Sequence, residues 1–478
     1  MNATRLIARD ELRLMARNRV AVIAVGLLVL LTLVAALTAW SHQRAISDIR
    51  ARQQAAAPAA FEAQPDRHPH RVVHYGHFIY RPLPALAAFD PGVDAFTGNS
   101  MFLEGHRQNT ANFGDVRQST QLIRFGQLTP AFVLQSVAPL LLIFLGFGGI
   151  ARERERGTLR ALLVQGATRR QLVGGKALAL GLVAVLIGLP AMIGFAAIAG
   201  RPGALPLPMV AIATGYGVYL ALWVVIVVLV SALARRSRDA LLALLAIWAV
   251  AVVLLPRVVP EIASRAVPLA NRLDTDVAIA RDLRRVGDSH NPDDPTFAAF
   301  KARTLARYGV ARIEDLPVNY KGLLAVEGER ITSGLFEDYA GRSFAAQARQ
   351  SAAVQAAGVL SPAIALRTLS MAAAGTDLAG HRRFLDQAEA YRYALVQRLN
   401  RLQADGVSYA DDVAEDTGAD RRKRVDAQHW AGMPRFAFQA PDGEELVRAA
   451  LPGLGILFGW LVVAAASLGW ATRRLGAR

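Results

Sequence analysis

Five histidines fall within one forty-residue part of the chain: His68, His70, His74, His77 and His106. Imidazole is a good ligand for copper or zinc, so the set, with His74 and His106 as the candidate pair, could hold a metal in a domain outside the membrane. The spacing matches no established metal motif, and histidines in a proline-rich surface loop also occur without a metal; both readings stand. The same region offers a second chemistry. Asp90, Asp94, Glu104 and His106 could supply acid and base to a membrane-embedded hydrolase or transferase, although such residues recur by chance in any long polar loop. The chain has no cysteine, which removes disulfides, thiolate metal sites and cysteine nucleophiles.

A charged block at 151–176, ARERERGTLRALLVQGATRRQLVGGK, offers a different kind of contact. Apolar runs adjoin it on both sides. Leu159, Leu162, Leu163 and Leu172 give it an amphipathic face, so it reads as a hairpin at the membrane surface that can press on another protein. The generic alternative is a solvated loop rich in arginine. Gly174-Gly175-Lys176 looks superficially like a phosphate loop, but Ala177 replaces the serine or threonine that would follow the lysine, and Arg170 stands where the first glycine belongs. The chain itself is therefore not expected to bind ATP.

The elements that must carry these groups follow from apolar patterning. A composition 53% hydrophobic and 19% charged implies both membrane-embedded and aqueous parts. A bilayer core about 30 Å thick asks for roughly 20 apolar residues per helix. Six windows qualify: 20–40, 132–150, 174–199 (continuously apolar from Ala177), 208–234, 240–259 and 447–470. The first exceeds the usual apolar run of a signal peptide and reads as an uncleaved helix. Arginines cluster in the leader (Arg5, Arg9, Arg13, Arg17, Arg19), in the charged block, after the fourth window (Arg235, Arg236, Arg238) and in the tail (Arg473, Arg474, Arg478), whereas the short loop around Arg201 holds one. Positive charge favours the cytoplasm in short loops. Both termini, 151–173 and the tail 471–478 are then expected inside, and the long insertions 41–131 and 260–446 outside. The net charge of +16 is spread along the chain without an aromatic-studded basic module, so no nucleic-acid partner is expected.

The windows carry no ionisable residue away from their ends, which disfavours a proton-coupled carrier or a charged ion filter. Pro139 and Pro190 are expected to kink the second and third helices, and Gly455 with Gly459 forms a small-residue pair on the sixth. In the second insertion, Leu324, Ile331, Leu335 and Tyr339 follow helical spacing. A longer helix, capped by Asp377, keeps its period to about Ala404. Residues 405–426 read as a solvated linker. The first insertion reads as irregular structure with short helices packed on the larger one. The fold class is thus an all-α polytopic membrane protein, with six transmembrane helices and a mainly helical periplasmic domain.

Glu155-Arg156-Gly157-Thr158-Leu159-Arg160, followed by Thr168, Arg169, Arg170 and Gly175-Lys176, resembles the coupling segment of ABC-2 type transporter permeases. The leader 1–19 is similar to their amphipathic elbow helix. The insertions resemble a bacterial subgroup with a large periplasmic insertion of uncharacterised function, through His74-Tyr75-Gly76, Asp90-Pro91-Gly92, Leu103-Glu104-Gly105-His106-Arg107-Gln108-Asn109, Val318-Asn319-Tyr320, Leu360-Ser361-Pro362 and Ala374-Gly375-Thr376-Asp377. The resemblance implies a permease of the bacterial inner membrane, surrounded by lipid, whose coupling residues Glu153, Glu155, Gly157, Thr158, Leu159, Arg169 and Arg170 meet a cytoplasmic ATPase dimer. ATP and magnesium would be bound by that partner and no cofactor by this chain, with Leu159 filling a groove of the ATPase. It also implies pairing with a second permease copy, identical or related, through the second and fifth helices. Those segments contain almost no polar side chains apart from Gln135 and Ser136, so a path along Gln135, Ser136 and Trp248 is expected to be narrow and apolar, suiting an amphiphilic or lipid-linked cargo or no cargo at all. Two alternatives remain beside transport: mechanical transmission to periplasmic or outer-membrane partners, as in metal or cofactor delivery, and a membrane-bound sensor or scaffold.

Overall fold

The computed structural model describes residues 3–111, 128–199 and 205–475; Arg201 and Arg478 lie outside them. Among the described residues, six helices are long and apolar enough to cross a membrane: Arg19–Glu62, Pro130–Glu155, Arg169–Ala199, Pro206–Leu233, Ser237–Ala266 and Gly443–Arg474, the first to sixth spans. A leader helix, Ala3–Arg17, lies against the third span. The contact is close because Gly175 has no side chain; a Cβ there would fall 2.6 Å from Ile7 Cγ2.

The first helix does not stop where its apolar window ends at Trp40 but runs on to Glu62. Residues 41–62 are rich in alanine, arginine and glutamine, good helix formers, with no glycine and with Pro58 only in the final turn. Apolar length thus marks the membrane crossing without marking the helix end. In the second span a π-helical segment, Val133–Val137, precedes Pro139, and in the fifth another, Ala249–Leu254, precedes Pro256. The wider turn accommodates a ring that cannot donate to the helical ladder. Pro190 lies within the unbroken helix of the third span.

The two insertions share one core. Helix Tyr320–Ala356 packs along Leu378–Gly406, which begins at Asp377, whose side chain accepts from the Gly380 N–H as an N-cap. Phe61, Val72 and Val73 of the first insertion bury against Val396, Leu399 and Trp430 of the second. The sole sheet among the described residues is an antiparallel hairpin, β1 His77–Tyr80 and β2 Ser100–Leu103, with His77 opposite Leu103. Its Ile79, Met101 and Leu103 pack on Phe384 and Ala388. The stretch 405–426 is no free linker: Asp412 is buried and accepts from Asn319 (2.7 Å) and Gln403 (2.9 Å), while facing His68 Nε2 at 3.0 Å. Burial pushes that carboxyl up, but the bonds from His68, Gln403 and Asn319 outweigh it and hold it well below the usual range. A polar, Asp-rich composition hid this docking because the buried residues Val407, Asp412, Ala419 and Val425 are scattered singly along the stretch and follow no helical or strand period.

The helix Pro362–Ala374 joins insertion to bundle. It is too short to span, yet nearly all of it is buried, between the fourth and sixth spans. Leu369 sits where Gly215 and Gly453 leave space; a Cβ at either would come within 2.9 Å of its side chain. Gly455 and Gly459, by contrast, have nothing among the described residues within 4 Å of a Cβ position, so the packing glycine of the sixth span is Gly453.

Candidate functional site

The charged block forms a helical hairpin beneath the bundle. Ala151–Glu155 ends the second span, Gly157 turns the chain at φ 74°, and Thr158–Val164 follows. A left-handed turn of this kind suits glycine, and a Cβ here would meet nothing within 4 Å. The hairpin is tied to the ends of three spans. Glu155 Oε2 accepts from the N–H (3.1 Å) and hydroxyl (2.9 Å) of Ser237, the first residue of the fifth span. The Arg154 guanidinium donates to the carbonyls of Ala232 (2.8 Å) and Ala234 at the end of the fourth, and the Ile150 and Ala151 N–H groups donate to Ser231 Oγ. Lys176 of the third span, only 9% exposed, donates to Glu11 of the leader helix (2.5 Å) and to Glu153 (3.3 Å). Gly174-Gly175-Lys176 therefore docks the leader helix: the glycine admits Ile7 and the lysine reaches two carboxylates.

Leu159 does not point outward. It is buried with Ile150, Leu172, Val173, Val228 and Leu475 of its own chain, which corrects the expectation that it fills a partner's groove. An amphipathic stripe specifies that something covers it, not which chain does so, and here the bundle's own lower end covers it. Glu153 and Glu155 are likewise engaged internally, and Glu153 also receives the Thr158 hydroxyl. The exposed surface of the hairpin includes Arg156, Gly157, Thr158, Arg160, Val164, Arg169 and Arg170, with Val164 83% exposed and Arg169 also donating to the Arg473 carbonyl (2.6 Å).

At the other end, Gln135, Ser136 and Trp248 line a single cavity of about 540 Å³ between the second and fifth spans. Trp248 Nε1 donates to the Ser136 carbonyl (3.0 Å), linking the two helices. Phe132, Leu140 and Val252 make much of the wall apolar, whereas Arg257, Arg367 and the buried Asp90 add charged groups to the lining. Behind it runs a buried polar chain that single-residue reading missed. Gln135 Nε2 donates to Tyr216 Oη (2.7 Å), Tyr216 lies 3.2 Å from Ser370 Oγ, and Ser370 donates to Asp90 Oδ2 (2.5 Å). Burial pushes the Asp90 carboxyl up, against the bonds from Ser370 and the Gly92 N–H and the charge of Arg367. Thr376 Oγ1 donates to the Asp90 carbonyl (3.0 Å), so Asp90-Pro91-Gly92 and Gly375-Thr376 are two sides of one joint.

The four residues considered for a hydrolase do not converge. Asp90 holds Ser370, Asp94 is paired with buried Arg81 (2.9 Å), Glu104 accepts from Asn109 and His106 leans on Glu329. The histidines do better: His74 and His106 come together with His70 and with His290 of the second insertion. His68 is drawn aside by Asp412, and His77 packs against Phe61 and Tyr391.

A family model described as "ABC-2 family transporter protein" matches residues 5–275, more than half of the chain. A second, a domain of unknown function (DUF3526), matches residues 272–439. No curated protein matches the chain.

Proposed function

Since the chain belongs to the ABC-2 family of transporter proteins and is a multi-pass membrane protein, we propose that it is the permease subunit of an ABC transporter of the bacterial inner membrane, driven by a separate cytoplasmic ATPase dimer that binds ATP and magnesium. Its termini face the cytoplasm and its shared insertion domain faces the periplasm. The observation that carries this reading is the pair of bonds that Glu155 accepts from Ser237: the hairpin caps the fifth span, so a push on the hairpin moves a wall of the cavity between the second and fifth spans. The ATPase docks on the exposed face formed by Gly157, Arg160, Val164 and Arg170, not on Leu159. A second copy closes the cavity, and its mostly apolar wall suits an amphiphilic or lipid-linked cargo.

One observation favours a mechanical component as well. The chain Gln135–Tyr216–Ser370–Asp90 and the embedded helix Pro362–Ala374 connect the second span directly to the insertion domain. Movement of the spans is thereby delivered to periplasmic partners.

Purification of the permease with its ATPase tests the docking face. Losing an interface anchor typically costs about 1–4 kcal/mol, so Val164→Asp releases the ATPase while the permease stays folded, and Glu155→Gln retains the ATPase but lowers its stimulated hydrolysis. Full binding and full stimulation in Val164→Asp would reduce the hairpin to a charged surface loop.

A further inference from the structure

We propose that His70, His74, His106 and His290 form a binding site for one divalent transition-metal ion, Zn²⁺ or Cu²⁺, that joins the two insertions. One ring nitrogen from each lies within 4.8 Å of all the others. His70 and His74 stand one turn apart on the short helix Pro69–Tyr75 and so share a face. His106 follows β2 at φ 59°, the single non-glycine residue with positive φ among those described, a conformation that persists only where its surroundings hold it. His290 comes from the loop after helix Arg272–Val286, far away in sequence.

The geometry fits a metal better than it fits four free imidazoles. His70 Nε2 lies 3.1 Å from His74 Nε2 and 3.2 Å from His290 Nε2. Two nitrogens bound to zinc at 2.0–2.1 Å and a tetrahedral angle are about 3.3–3.4 Å apart, close to both contacts. A ring nitrogen bears either one hydrogen or one lone pair, so the His70 nitrogen serves only one of those neighbours well, whereas a cation takes the lone pairs of all. The His106 Nε2 is buried without a hydrogen-bond partner among the described residues.

Carboxylates hold the opposite edges of two rings. His106 Nδ1 faces Glu329 at 3.3 Å and His290 Nδ1 faces Asp288 at 3.0 Å. Such partners fix the proton on Nδ1 and leave Nε2 as the donor to a metal. Glu329 is itself anchored by buried Arg392 (2.7 Å), which also donates to Ser333 and Glu389. Four imidazoles without carboxylate or sulfur suit Zn²⁺ or Cu²⁺, rather than the oxygen-seeking Mg²⁺ and Ca²⁺ or the thiolate-seeking Cu⁺. His74 and His290 are exposed, so the ion loads from solvent.

The test uses the full-length protein in detergent, purified through a histidine-free tag, stripped with a chelator and titrated with Zn²⁺ alone or Cu²⁺ alone. One equivalent per chain is expected for at least one ion, with a nitrogen-coupled spin-resonance spectrum if it is copper. His290→Ala and His74→Ala each weaken binding at least about a hundredfold, and Asp288→Asn about tenfold, whereas the exposed His429→Ala leaves it unchanged. Should a variant fail to fold, the unmutated protein still decides, because the bound ion raises its melting temperature. Neither ion reaching one equivalent, no rise in melting temperature, or equally tight binding by His290→Ala and His74→Ala would overturn the proposal.

Discussion

The fourth and fifth spans are neighbours of nearly equal length and similar apolar content, yet 61% of the most apolar stretch of the fourth is buried inside the chain and only 6% of that of the fifth. The fourth is a central pillar. Gly215 lets Leu369 of the embedded helix approach, Tyr216, Tyr219 and Trp223 are buried, and the span packs against the second, third and sixth spans and that helix. The fifth shows Leu242, Leu245, Val250 and Leu254 on a free face. In a bilayer an apolar face left to lipid carries no penalty like that in water, so exposure there marks a surface open to lipid or to another helix. Apolar content says that a helix is in the membrane; the size and shape of its side chains say what it touches there.

The contrast can be pressed by truncation. Trp223→Ala opens a cavity in the pillar and should cost roughly 2–4 kcal/mol, the cavity share of a large-to-small change where lipid and not water is the reference. It should appear as a clear fall in melting temperature in detergent. Ser370→Ala removes one partner of a buried carboxyl and should cost about 1–3 kcal/mol; if the mechanical reading holds, it also lowers ATP-dependent output more than Trp223→Ala does at matched folded fraction. Leu254→Ala on the bare face should stay within about 0.5 kcal/mol. Equal losses at Leu254 and Trp223 would erase the distinction between the two spans.

Much of the architecture is legible in the sequence because long apolar runs and helix caps are local signals. The six spans and the Asp377-capped helix are of that kind, and membership of the ABC-2 family agrees with the resemblance drawn from 155–176. Three features escaped for physical reasons. The embedded helix Pro362–Ala374 is too short to signal a membrane element and is buried only because glycines on two spans make room. His290 lies far from the other histidines in sequence, so no spacing rule reaches it. The direction of Leu159 depended on whether the chain's own helices or a partner covered an identical stripe.

The central claim is that the bare face of the fifth span is where a second copy closes the path, and disulfide trapping tests it most directly. The chain has no cysteine, so one introduced thiol is the only one present. In native membranes under a copper-free oxidant, Val250→Cys and Leu254→Cys should each give a covalent dimer, and Leu186→Cys, on the exposed side of the third span, should not. Cross-linking at Leu186 with none at Val250 or Leu254 would place the partner elsewhere and contradict the account.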